Sequence, residues 1–201
     1  MINKKIILGV TGGIAAYKVG ELIRLLKRNG ADIQVVMTKS ATKFISPLTL
    51  QALSGKPVLE NMWEPSKGNG MEHINQSRAS DLIVIAPASA NFIAKVSQGI
   101  ADDLLTNICL ARNCPLLIAP SMNREMWGNP ATKRNVSLIT KDGIVISGPD
   151  NGEQACGEEG MGRLVNEKVL LLDIKKSLSA QLFKNKNILI SCGGTVENID
   201  D

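Results

Sequence analysis

Short apolar runs alternate along the chain with longer stretches in which apolar residues recur every three to four positions. Residues 5–10 (Lys-Ile-Ile-Leu-Gly-Val) make the first run and lead into glycines, which predicts a strand buried in a parallel sheet. Across 14–29, Ile14, Val19, Leu22, Ile23, Leu25 and Leu26 fall at helical spacing, and Gly30 follows as a C-cap. Residues 33–37 read as a second strand. Residues 42–53 read as a helix in which Pro47 sits in a first turn or separates two short helices. Gly55, Pro57, Pro65, Gly68 and Gly70 make 55–72 a loop. The pattern then resumes: strand 81–86, helices 90–96 and 102–112, strand 115–119, helix 131–139 and a short strand 144–147. Residues 151–163 are glycine-rich and irregular, and 167–182 form a closing helix. Strands and helices alternating at these lengths imply a three-layer α/β fold, a parallel sheet covered by helices on both faces. Residues 188–195 (Ile-Leu-Ile-Ser-Cys-Gly-Gly-Thr) start a fresh strand and glycine turn with six residues after them. We read this as the opening of a second, truncated domain, dividing the chain into 1–185 and 186–201.

Composition removes several function classes. With 201 residues, 44% hydrophobic and 21% charged, the chain is an ordinary globular one, neither disordered nor fibrous. No apolar stretch approaches the roughly 18 residues a membrane helix needs, so no membrane partner is expected. The net charge is only +4, and one Tyr, two Trp and three Phe offer little stacking surface, so no nucleic-acid partner is expected. The apolar run before Thr11 is shorter than the about 7–15 residues of a secretory segment. Cys109, Cys114, Cys156 and Cys192 are scattered and there is one histidine, so neither a disulfide framework nor a metal site is expected, and the thiols suit a cytoplasmic location.

The residues 9–16 (Gly-Val-Thr-Gly-Gly-Ile-Ala-Ala) join the first strand to the first helix, where a tight backbone and free N–H groups suit an anion. Position 11 is threonine, so this is not a G-x-G-x-x-G fingerprint, and no Walker loop follows. The second strand ends in Met37-Thr38-Lys39-Ser40-Ala41-Thr42, without the carboxylate that holds a dinucleotide's ribose. Hydroxyls and a lysine favour a terminal phosphate, hence a mononucleotide such as FMN in a flavodoxin-like sheet. Ser89, Ala90, Asn91 and Phe92 follow the third major strand, where ligands of open α/β sheets bind; Ser89 and Asn91 also read as helix caps.

Three residues could do chemistry. His73 stands before a strand, either as a surface or structural group or as a base or carboxylate anchor. Asn123 follows a strand end, either as an N-cap or as a carboxamide that donates to a carboxylate while accepting from an amide. Cys156 lies in a segment with glycines at 152, 157, 160 and 162, which suits a flap over a ligand. Acidic neighbours do not stabilise a thiolate, so an acid role fits it better than a nucleophilic one.

Together and in this order, residues 9–18, the segment 73–106 with Ala-Pro-Ala-Ser-Ala-Asn, the Pro-x-Met-Asn-x-x-Met-Trp block and the Ala-Cys-Gly-x-x-Gly-x-Gly-Arg block resemble the homo-oligomeric flavin-containing cysteine decarboxylases. Within that family they resemble the phosphopantothenoylcysteine decarboxylases, which in bacteria are fused to a phosphopantothenate–cysteine ligase whose start 186–201 resembles. The resemblance implies FMN-dependent conversion of 4′-phospho-N-pantothenoylcysteine to 4′-phosphopantetheine in coenzyme A biosynthesis. It implies FMN contacts from Gly12, Gly13, Ile14, Ser40, Thr42, Ser89, Ala90, Asn91, Phe92 and Ser121. It also implies substrate contacts from Asn123, Ala155 and Leu164, an active-site His73, and Cys156 as proton donor. Phe92 stands where threonine is common, and Gln154 where an aliphatic residue is usual. Family members are trimers in which histidine and flavin meet across a subunit boundary, with fused forms reaching dodecamers. The alternatives are a decarboxylase of peptide C-terminal cysteines, a flavin prenyltransferase, and a non-catalytic flavin-binding regulator. Cys156 in its flap argues against the prenyltransferase and the oxidative peptide enzyme, and the three reactive residues together argue against the regulator.

Overall fold

The computed structural model describes residues 1–62, 71–179, 187 and 189. Five parallel strands, β1 (Lys5–Val10), β2 (Asp32–Met37), β3 (Leu82–Ala88), β4 (Leu116–Pro120) and β5 (Val145–Ile146), lie in the order β2-β1-β3-β4-β5. This is the flavodoxin-like doubly wound order. Its register pairs Val10 with Met37 and Gly9 with Ile85.

Side-chain alternation along the strands builds two cores. Ile6, Leu8, Val10, Leu82, Val84, Leu117 and Ala119 face α1 (Val19–Arg28) and α8 (Glu167–Leu178), whose Leu22, Ile23, Leu26, Leu170 and Ile174 complete that layer. Ile7, Ile83, Ile85, Leu116 and Ile118 face the other way, onto Phe92 and Ile93 of α4 (Ala90–Gln98), Leu105 and Ile108 of α5 (Leu104–Leu110) and Ile139 of α7 (Pro130–Lys141). Right-handed crossovers put helices on both faces, so the strands are apolar on both sides. At Gly9 a Cβ would come within 2.6 Å of Ile85 Cδ1 and 2.7 Å of Leu105 Cδ1, and glycine there lets α5 pack close to the sheet.

Five features differ in detail from the sequence reading. The first helix starts as a 3-10 turn, Ile14–Lys18, before α1. The stretch 42–53 splits into a 3-10 turn, Ala41–Lys43, and α2 (Pro47–Ser54) with Pro47 in its first turn. The stretch 73–80, given no element from the sequence, is largely helical, as α3 (Glu72–Ala79), and a short helix, α6 (Arg124–Gly128), follows β4. The segment read as irregular is an antiparallel hairpin, β6 (Asp150–Glu153) paired with β7 (Glu159–Arg163). Its glycines 152, 160 and 162 have φ of 149°, 157° and 140°, so it lacks the apolar alternation that marks a strand. The second-domain strand at 188–195 and the end of the closing helix at 180–182 lie outside the described residues. Among the described residues no helix is long and apolar enough to cross a membrane, and no cluster of potential metal ligands occurs.

Candidate functional site

Strands β1, β3 and β4 end at the same sheet edge, and β1 and β3 flank the point where strand order reverses. Crevices of this kind bind ligands in open α/β sheets. Thr11, directly after β1, is 2% exposed. Its hydroxyl donates to the Pro87 carbonyl at 2.8 Å and accepts from the Ser89 N–H at 2.9 Å. The residue that breaks the dinucleotide fingerprint is therefore the clamp that ties the glycine turn to the loop after β3. Its departure from that motif was the only sequence signal it offered.

Above the clamp lies a cavity of about 590 Å³. The glycine turn contributes Gly12, Gly13 and Ile14, the end of β4 contributes Ser121 and Asn123, and the hairpin contributes Ala155, Cys156 and Leu164. Eight of the expected site residues thus meet from positions as far apart as Gly12 and Leu164. Leu164 is only 4% exposed and belongs also to the core. Ser40 does not line the cavity but backs it, since a Cβ on Gly12 would lie 2.5 Å from Ser40 Cβ. Thr42 donates from Oγ1 to the Lys39 carbonyl at 2.9 Å within its own turn. Ser89 caps α4, its Oγ accepting from the Phe92 N–H at 3.2 Å. Ala90 and Asn91 open that helix outside the cavity lining. The Phe92 ring, 2% exposed, is a core group. His73 lies in the first turn of α3, the helix before β3, and its side chain is outside the described ones.

Asn123 does both things its carboxamide allows. Oδ1 accepts from the Glu125 N–H at 2.8 Å, capping α6, and Nδ2 donates to Glu158 Oε2 at 2.5 Å. Nδ2 also lies 3.5 Å from Cys156 Sγ, and Sγ lies 3.6 Å from the same Glu158 oxygen. The hairpin is docked on α6 by the Arg124 N–H to Gln154 Oε1 at 3.1 Å and by Arg124 Nη1 to the Glu159 carbonyl at 3.2 Å. The Met122 N–H donates to the Gly162 carbonyl at 2.9 Å. The Asn123 hydrogen bond is the main cause that holds the Glu158 carboxyl below its ordinary 4.5; desolvation opposes it, and the Arg124 charge and the Cys156 S–H add smaller lowering effects. Cys156 is exposed, whereas burial pushes the Cys109 thiol up to about 12 and the Cys114 thiol up as well. Sequence reasoning missed Glu158 as a partner, having read its charge only as a deterrent to a thiolate.

These residues fit a flat cofactor. A Cβ at Gly13 would have nothing within 4 Å, so the turn is open toward the cavity, and no side chain caps the 3-10 turn that follows. Ile14 and Tyr17, 59% and 64% exposed, offer apolar surface beside it.

A family model described as Flavoprotein matches residues 1–179. The chain belongs to the flavoprotein family. This flavoprotein is 44% identical over 200 residues to the coenzyme A biosynthesis bifunctional protein CoaBC of Vibrio vulnificus strain YJ016, and 42% identical over 201 residues to that of Escherichia coli strain K12. Both alignments take in the whole chain, which spans about half (50%) of each relative. Among solved structures, its fold is similar to a PPC decarboxylase mutant complexed with pantothenoylaminoethenethiol, with a TM-score of 0.77 and 30% identity over 87% of this chain and 97% of that one. It is also similar to the FMN-dependent cysteine decarboxylase SpaF, with a TM-score of 0.75 and 32% identity over 88% and 98%.

Proposed function

We propose that this chain carries out the FMN-dependent decarboxylation of 4′-phospho-N-pantothenoylcysteine to 4′-phosphopantetheine, a carboxy-lyase step of coenzyme A biosynthesis. The observation that carries it is that Asn123 and Cys156 line one cavity with the glycine turn, with Glu158 in contact with both. The likeness to CoaBC and to a PPC decarboxylase bound to an ethenethiol supports the substrate class. Bound FMN would supply a reversible two-electron exchange with the cysteine side chain, which turns an unactivated carboxylate into one that can leave as CO2.

The chain's own residues do the rest. Gly12, Gly13 and Ile14, braced by Thr11, would hold the cofactor, with Ser40, Thr42, Ser121 and the first turn of α4 (Ser89 to Phe92) around it. Asn123 Nδ2 donates to the substrate carboxylate while Oδ1 stays fixed on the Glu125 N–H, so the amide is pre-oriented. Ala155 and Leu164 bound the substrate, and the hairpin keeps water from the reacting carbon. The exposed Cys156 thiol supplies the final proton at Sγ. His73 serves across a subunit boundary in a homotrimer, or a dodecamer built of trimers, and the reaction belongs to the cytoplasm, where such a thiol stays reduced.

The test is turnover of 4′-phospho-N-pantothenoylcysteine by the FMN-loaded protein, with mass detection of the product. Release of 4′-phosphopantetheine is expected. A protein that binds FMN but leaves this substrate intact would overturn the reading, and light scattering reports the oligomer.

A further inference from the structure

The Asn123 amide is already committed. Its Oδ1 cannot leave the Glu125 N–H without uncapping α6, so Nδ2 is the end that meets a ligand. The two N–H bonds of Nδ2 point at Glu158 Oε2, 2.5 Å away, and at Cys156 Sγ, 3.5 Å away. Glu158 carries a carboxylate at neutral pH, as its ordinary 4.5 already dictates, and the amide lowers it further. Two carboxylates sharing one amide repel. The displaced carboxylate stays beside a guanidinium, since Arg124 Nε, which donates to the exposed Glu125 carboxylate at 3.1 Å, also lies 3.9 Å from the same Glu158 oxygen, and Arg124 is anchored to the hairpin.

We propose that Glu158 is a specificity-determining residue that competes with the substrate carboxylate for Asn123 Nδ2. This rests on the decarboxylase reading above. An acid substrate takes the amide, Glu158 swings toward Arg124, and Cys156 Sγ is released from the oxygen it contacts at 3.6 Å. Once CO2 has left, the product no longer holds the amide, and Glu158 returns to it.

The experiment uses the FMN-loaded protein and calorimetric binding of two ligands that do not turn over. One is 4′-phosphopantothenoylserine, which keeps the carboxylate but has no thiol, and the other is 4′-phosphopantetheine, which has no carboxylate. Glu158→Gln and Glu158→Ala are expected to bind the serine analogue about fivefold to tenfold tighter than wild type, the size expected of one water-exposed like charge a few ångströms away. Binding of 4′-phosphopantetheine is expected to stay unchanged, and Glu158→Asp to keep the wild-type order. Parallel changes for both ligands would show a merely structural role and overturn the assignment, as would no change or a loss of affinity for the analogue. Wild-type turnover, measured separately, shows whether the decarboxylase reading itself has failed.

Discussion

Replacing Thr11 with valine removes one buried hydroxyl and keeps the side chain's shape. The hydroxyl makes two hydrogen bonds, to the Pro87 carbonyl at 2.8 Å and from the Ser89 N–H at 2.9 Å. The Pro87 carbonyl keeps a second partner, the Thr11 N–H at 3.2 Å, so the orphaned group is the Ser89 N–H. Each bond is worth about 0.5–1.5 kcal/mol net, and an unsatisfied donor about 1–3. The added valine methyl group returns about 0.8 kcal/mol of burial. The expected net loss is about 1–2 kcal/mol, which for a domain of this size lowers Tm by about 2–8 °C. Urea denaturation is expected to show a lower midpoint with an unchanged slope. Thr11→Ser, which keeps both bonds and loses a methyl group, is the control and is expected to unfold closer to wild type. FMN affinity, read by quenching of flavin fluorescence, should fall in the valine variant, because the glycine turn is no longer tied to the Ser89 loop. A valine variant within about 0.5 kcal/mol of wild type, or a serine variant equally destabilised, would refute the clamp.

Gly162→Ala places a Cβ against the Met122 carbonyl oxygen and 2.9 Å from Gln154 Nε2, at a φ of +140°. The strain of about 1–3 kcal/mol should undock the hairpin, seen as faster amide exchange across 150–163; unchanged protection would contradict it. Asp81 accepts from Lys4 Nζ and the Lys5 N–H, both at 2.8 Å, and the Lys4 bond first holds its carboxyl below the ordinary 3.8. Because the folded value is the lower one, this stabilisation is full above pH 3.8 and disappears as pH falls through the folded value. Asp81→Asn should therefore cost up to about 1 kcal/mol at neutral pH and nothing in strong acid; a pH-independent loss would count against the pair. Cys156→Ser in the FMN-loaded protein should release CO2 yet accumulate an enethiol-type product, and undiminished formation of saturated thiol would dismiss Cys156 as proton donor.

Much of the fold can be read from apolar periodicity. Strands such as Ile-Ile-Leu-Gly-Val at β1 are apolar on both faces because both faces are covered, and the helices carry one apolar stripe each. The β6–β7 hairpin escaped that reading because its strands, Asp-Asn-Gly-Glu and Glu-Gly-Met-Gly-Arg, bury almost nothing and depend on glycine backbone freedom. Helix α3 escaped it because the glycines and prolines before it masked a stretch with little amphipathic signal. At the site, the sequence alone marked Asn123 and Cys156 through the blocks that hold them, and it showed that the asparagine could serve a carboxylate and an amide together. The carboxylate it meets, Glu158, is 35 positions away, and Thr11 meets Ser89 across 78. Such pairings are invisible to local pattern, because they exist only once parallel strands bring their carboxyl ends to one edge and the hairpin folds back over them.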